Sequence, residues 1–159
     1  MNRTSMVLVG DREIVMKRTI PGPARLVFEA FTKPELVARW WAPKACGVEM
    51  VSAEADVRVG GKWRYTLRNP DTEVISFYGE YTEVAPPDRV VYSELFSKFP
   101  DGPAVIVTVT FVEKDGKTEL TSTQLYPSKE IREFVVSTGM EFGANEAHTQ
   151  LVELVASLL

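Results

Sequence analysis

The chain has 159 residues, 45% of them apolar and 25% charged, the balance of one folded domain with a sizeable core and no long disordered stretch. Its net charge of −4, with 18 basic residues scattered along the sequence, argues against a surface that tracks nucleic-acid phosphates. A lone Cys46 and a lone His148 leave no internal disulfide and no multi-Cys or multi-His metal site, and no apolar run approaches a membrane span.

Residues 1–11 lack the layout of a secretory signal and are expected to form a flexible N-terminal segment ahead of a single domain over 12–159. Together with the cysteine usage this makes the cytoplasm the expected location. From Arg12 to Ile20 the alternation of Ile14, Met16 and Arg18 with Val15, Lys17 and Thr19 predicts a first strand, ended by Pro21. A helix is predicted from Pro23 to Phe31, with Val27, Phe28 and Phe31 as its apolar stripe. Thr32 then reads as the N-cap of a second short helix carrying Leu36, Val37, Trp40 and Trp41, which Pro43 stops.

Beyond Val48 the period changes to two. Strands are predicted over 48–53, 62–69, 73–84, 89–96, 104–113 and 117–125, separated by turn signals such as Ala85-Pro86-Pro87-Asp88 and Asp115-Gly116. After Pro127 a helical period returns. Ser128 is a capping candidate, Leu151, Val155 and Leu158 mark an apolar stripe, and Gly139 and Gly143 are candidate breaks. An antiparallel meander with one apolar face and a long amphipathic terminal helix must bury those surfaces against each other, so the class is α+β.

Several segments carry a family resemblance: Pro34-Glu35-Leu36, Trp40-Trp41-Ala42-Pro43, Gly60-Gly61-Lys62-Trp63, Gly79-Glu80-Tyr81, Pro86-Pro87-Asp88-Arg89 and Val107-Thr108-Val109-Thr110-Phe111. In order and spacing they resemble the START-like, or SRPBCC, superfamily, in the branch related to the C-terminal domain of the activator of heat shock protein 90 ATPase. The resemblance implies the helix-grip (Bet v 1-like) fold: a curved antiparallel sheet wrapped around a long C-terminal helix, with two short helices after the first strand. It also implies a cavity between helix and sheet, and no cofactor. Glu94 and the run Glu141-Phe142-Gly143-Ala144 depart from the usual family pattern.

If alternating residues mark the concave face, a ligand would meet Trp63, Tyr65, Phe77, Tyr81, Tyr92, Phe96, Val109 and Phe142, with Trp40 and Trp41 from the second helix. Polar members of the same parity are Glu94, Ser122 and Gln124. A carboxylate in such surroundings titrates high, which makes Glu94 the candidate acid or base; a solvated strand-end glutamate is its plain alternative. Gly139, Gly143 and Ala147 recur every fourth residue, either for close packing or to leave room. For His148 the expectation is a surface or edge position.

Three classes of function follow. The first is binding of a small apolar or mixed-polarity molecule by a carrier or sensor. Second comes a polyketide cyclase-like enzyme that orients a bound substrate, and third a protein-interaction module, either a chaperone regulator or a homodimer.

Overall fold

The computed structural model describes residues 2–159. Eight antiparallel strands form one sheet in the order β1-β2-β8-β7-β6-β5-β4-β3. They are β1 Ser5–Val9, β2 Glu13–Pro21, β3 Glu49–Ala55, β4 Lys62–Arg68, β5 Val74–Ala85, β6 Arg89–Phe96, β7 Val105–Lys114 and β8 Lys117–Leu125. Helices α1 Ala24–Thr32 and α2 Pro34–Val37 join β2 to β3, and α3 Lys129–Ser137 and α4 Met140–Leu158 end the chain. This is the helix-grip arrangement.

Burial alternates along β2, β4, β7 and β8, so period two places Ile14, Met16, Arg18 and Ile20 on the same concave face as Val107, Val109 and Phe111. The largest core lies where α1 and the C-terminal half of α4 meet this face. Phe28 and Phe31 both pack edge-on to Phe111, with ring centres 5.3 Å away, and Leu151, Leu154 and Val155 complete the layer.

Four details of the sequence reading are corrected. Residues 5–9 are a strand rather than part of a flexible segment: Ser5 to Val9 pair with Lys17 to Glu13. Buried Arg132 on α3 fixes the turn that follows, its Nη1 donating to the carbonyls of Gly10 at 2.8 Å and Glu13 at 3.2 Å and, more loosely, Val9 at 3.4 Å. Thr32 does not cap α2, since its hydroxyl donates to the Phe28 carbonyl at 2.8 Å inside α1, and Lys33 occupies the cap position. The terminal helix breaks only at Gly139, whose φ of 83° ends α3 and opens α4. Gly143 therefore lies within a continuous helix, and the small-residue stripe shortens to Gly143 and Ala147.

Two glycines permit sharp coiling at the β4–β5–β6 side of the sheet. A Cβ on Gly61 would overlap the Asp56 carbonyl oxygen, and one on Gly79 would overlap that of Ser93. Beyond Gly79 the β5–β6 register shifts by one residue between Tyr81 and Glu83, a bulge that adds bend.

The Arg132 clamp is open to measurement. Replacement by Met keeps the apolar stem and strips the donor from three carbonyls, so Arg132→Met is expected to lose about 2–4 kcal/mol in denaturant unfolding. Amides of residues 5–9 are expected to lose hydrogen-exchange protection before those of β7.

Candidate functional site

Strand register assembles one aromatic cluster at the β4–β5–β6 side of the concave face. Tyr65 pairs with Phe77, Phe77 with Phe96, and Tyr81 with Tyr92, while Trp63 lies opposite Gly79. The absent side chain at Gly79 lets the Ser93 backbone come close, and the Trp63 Nε1 donates to that same Ser93 carbonyl at 3.2 Å. Trp63 packs on Tyr65 at 4.8 Å and edge-on to Tyr92 at 5.2 Å, and Phe77 stacks on Phe96 at 4.9 Å.

Trp41 closes the cluster from the other side. It meets Tyr65 at 5.1 Å and Phe77 at 5.3 Å, both edge-on, yet it stands on the loop after α2 and keeps part of its surface exposed. Gln150 of α4 holds that loop. Its amide nitrogen donates to the carbonyls of Trp40 at 3.0 Å and Ala42 at 2.8 Å, and its Oε1 accepts from the Lys44 N–H at 2.8 Å.

Between Phe31, Trp41, Trp63, Tyr65, Tyr81, Val90 and Tyr92 remains a void of about 10 Å³. A space of that size holds about one water. In this conformation the rings fill their own pocket.

Glu94 lies two residues beyond Tyr92 on the same face of β6 and pairs across the sheet with Val105. It is half-buried, and among the described residues it has neither an ion-pair nor a hydrogen-bond partner. Desolvation pushes its pKa up from 4.5 to about 7. Burial raises the Tyr65 and Tyr92 phenols well above their ordinary value, and the nearby Glu94 charge adds to this in both. The Tyr126 phenol is raised by burial and then by Glu94, and it donates to Gln124 Oε1 at 2.7 Å. The phenols thus keep their protons at neutrality, while Glu94 is close to half ionised there.

The expected residues divide. Trp41, Trp63, Tyr65, Tyr81 and Tyr92 line the void, Phe77 and Phe96 extend its wall and Glu94 adjoins Tyr92, whereas Gln124 is not among the lining residues and instead accepts from the Tyr126 hydroxyl. Trp40 does not join them: it is buried in the main core against Phe31, with Nε1 donating to the Ala30 carbonyl at 2.7 Å. Val109 and Ser122 pair with each other deep in the sheet, away from the void. Phe142 is 60% exposed, because α4 starts only at Met140 and its first turn presents this position outward.

Phe31 and Val90 were missing from the expected lining. Val90 continues the parity of Tyr92 and Glu94, so extending that alternation by one step would have found it. His148 is buried rather than at an edge. Its Nδ1 shares a 2.7 Å hydrogen bond with the Thr4 hydroxyl, and burial, then the Arg18 charge, lower its pKa to about 4. Buried Arg18 donates in turn to Asn145 Oδ1 at 3.0 Å and Thr149 Oγ1 at 3.2 Å.

Known proteins share this family and fold. The family model described as "Activator of Hsp90 ATPase homolog 1-like protein" matches residues 21–156. The chain belongs to that family. Human "Activator of 90 kDa heat shock protein ATPase homolog 1" is 30% identical over 108 residues, which are 68% of this chain and 28% of that protein. This chain therefore corresponds to under a third of the human relative's length. Among solved structures, a Rhodobacter sphaeroides protein superposes with a TM-score of 0.88 at 22% identity, over 98% of this chain and 99% of its own. An "HSP90 activator from plasmodium falciparum" gives 0.56 at 24% identity, over 73% of this chain and 74% of its own. No helix among the described residues is long and apolar enough to cross a membrane.

Titration of Glu94 has a definite sign. A folded-state pKa near 7 against 4.5 means that the folded chain binds the proton more tightly, so ionisation of Glu94 removes stability as pH rises from about 4.5 to 7. Glu94→Gln is expected to match the parent near pH 4.5 and to exceed it by on the order of 2 kcal/mol at pH 8, read from urea unfolding at both values. Carbonyl-carbon NMR of the parent is expected to place the Glu94 midpoint near 7.

Proposed function

We propose that the protein binds a small molecule with an apolar body and at least one hydrogen-bonding group, held between the concave sheet and α4. The observation that carries this reading is Glu94, a half-buried carboxylate without a partner among the described residues, beside a void walled by aromatic rings. A charge-bearing group left unpaired in apolar surroundings lowers stability, and a complementary ligand would offset that penalty. Because the void holds about one water, entry requires Trp41 to move. Its position supports this: it stands on a loop rather than a strand, and one glutamine holds that loop to α4.

The same pocket would serve a polyketide cyclase-like enzyme, with Glu94 as the proton-transferring group and the rings as a mould for the substrate. A separate reading is a protein-interaction module related to chaperone ATPase activators, with a client chaperone or a second copy as partner. It is favoured by the exposed Ile131, Phe134 and Phe142 on α3 and α4 and by the printed name of the human relative.

Thermal shift with mixed-polarity ligands separates these readings. A ligand at a hundred times its Kd adds about 2.7 kcal/mol. For a chain of this size that is about 5–10 °C in Tm. Phe77→Ala, which removes one wall of the pocket, is expected to abolish the shift. A clean apo mass in native mass spectrometry, with no shift across the panel, would transfer the function to the exposed α3–α4 face.

A further inference from the structure

Trp41, Tyr65, Phe77 and Tyr92 turn ring faces and edges toward one space, and the one carboxylate that adjoins it, Glu94, has no cation within ion-pairing distance among the described residues. Aromatic faces carry negative quadrupole density and attract cations, most strongly where water is excluded, and a carboxylate adds a net charge of the same sign. A neutral or anionic ligand would meet repulsion or an unpaired carboxylate here.

We propose that the pocket takes a molecule bearing a protonated amine, whose ammonium group pairs with Glu94 while its apolar body lies against Trp41, Tyr65 and Phe77. This inference rests on the small-molecule reading above and specifies its ligand class. Among the described residues no Lys or Arg forms an ion pair with Glu94. Arg18 on β2 is committed to Asn145, Thr149 and Thr4 beneath α4, and the exposed Arg58, Arg68, Arg89 and Lys98 pair with Asp56, Glu49, Glu83 and Glu73. Glu94 is thus left for a cation from outside.

The pH dependence follows from the groups around the carboxylate. Tyr65 on β4, Tyr92 on β6 and Tyr126 after β8 have phenols raised by burial, and His148 on the overlying helix stays neutral above about pH 4. Of these groups only Glu94 changes charge between pH 5 and 8. A primary alkylamine remains protonated throughout that range. Amine binding is therefore strongest where Glu94 is ionised and weakens as pH falls below about 7.

Phenylalkylamines of graded chain length, each matched with the phenylalkanol of equal length, test this by NMR titration of the intact chain. The parent is expected to bind the amine at least ten-fold more tightly than the alcohol at pH 8, with the ratio falling several-fold at pH 5.5. In Glu94→Gln the ratio is expected to collapse to about one at both pH values. Alcohols that bind as tightly as amines, or an amine preference that survives Glu94→Gln, would overturn the amine inference and leave the small-molecule reading standing. If neither series perturbs the resonances of Trp41, Tyr65 and Phe77, both readings fail together.

Discussion

The sheet is coiled tightly enough that its concave face must be covered, and α4 covers it with two different chemistries along one helix. Its C-terminal half is apolar: Leu151 and Val155 are fully buried and Leu154 nearly so, against α1 and the sheet. Each such side chain contributes about 1.5–3 kcal/mol of hydrophobic stabilisation. The N-terminal half is polar on its buried side, where Asn145 and Thr149 receive the Arg18 guanidinium and His148 meets Thr4. A buried guanidinium without a carboxylate partner is stable only while its neutral acceptors stay in place. That requirement fixes the rotation and height of α4 more strictly than apolar contact alone would. The N-terminal strand shares in it, because the Thr4 N–H donates to Asn145 Oδ1 at 2.9 Å.

From that fixed helix the geometry of the candidate site follows in short steps. Gln150 lies one residue beyond Thr149 and carries the Trp40–Lys44 loop on its amide, so the position of α4 sets the position of Trp41. Trp40 and Trp41 then go separate ways, one into the main core and the other over the aromatic cluster. On the opposite wall, Gly61 and Gly79 let backbone approach backbone closely enough for Trp63, Tyr81 and Tyr92 to converge. The site is thus a sheet wall, held by a ladder of strand hydrogen bonds, facing a tryptophan on a loop that is anchored by buried Trp40 and by Gln150.

The sheet was legible in the sequence because period-two alternation is strong from Val48 to Leu125, and predicted strands such as 89–96 and 117–125 coincide with β6 and β8. Alternation also carried the best of the site: Tyr65, Tyr81, Tyr92 and Glu94 all follow from parity. It failed where parity gives a face without a depth. Val109 and Ser122 share the concave face with Tyr92 but sit under α1 and α4 rather than at the void. Alternation grouped Arg18 with Ile14 and Met16 without revealing what would receive a buried guanidinium, since Asn145 and Thr149 lie more than a hundred residues away. Adjacent tryptophans were read together because a sequence shows neighbourhood, whereas the turn after α2 sends their indoles to different layers. The strand at residues 5–9 forms a local hairpin with β2 that its short, mostly exposed sequence did not signal, and the Arg132 clamp that fixes its turn comes from more than a hundred residues away.

Two buried titratable groups flank this design with opposite signs. His148, lowered to about 4, stays neutral in the fold while the unfolded chain would take up a proton below about 6.5, so its contribution falls as pH falls through that window. Glu94, raised to about 7, takes up its proton more readily in the fold, so its contribution rises as pH falls over much of the same range. Each slope approaches about 1.4 kcal/mol per pH unit where one state is protonated and the other is not, and between roughly pH 4.5 and 6.5 the two offset. Global stability is therefore nearly level with respect to this pair across mild acid. The charge on folded Glu94 itself is lost higher, as pH falls through about 7, where His148 is neutral in the fold and mostly neutral in the unfolded chain, so there the pocket's charge and the stability change together. Selection of ligands by the protonation of Glu94 therefore falls at the upper edge of the range in which His148 offsets its effect, and a ligand that pairs with the carboxylate would also restore the stability its ionisation removes.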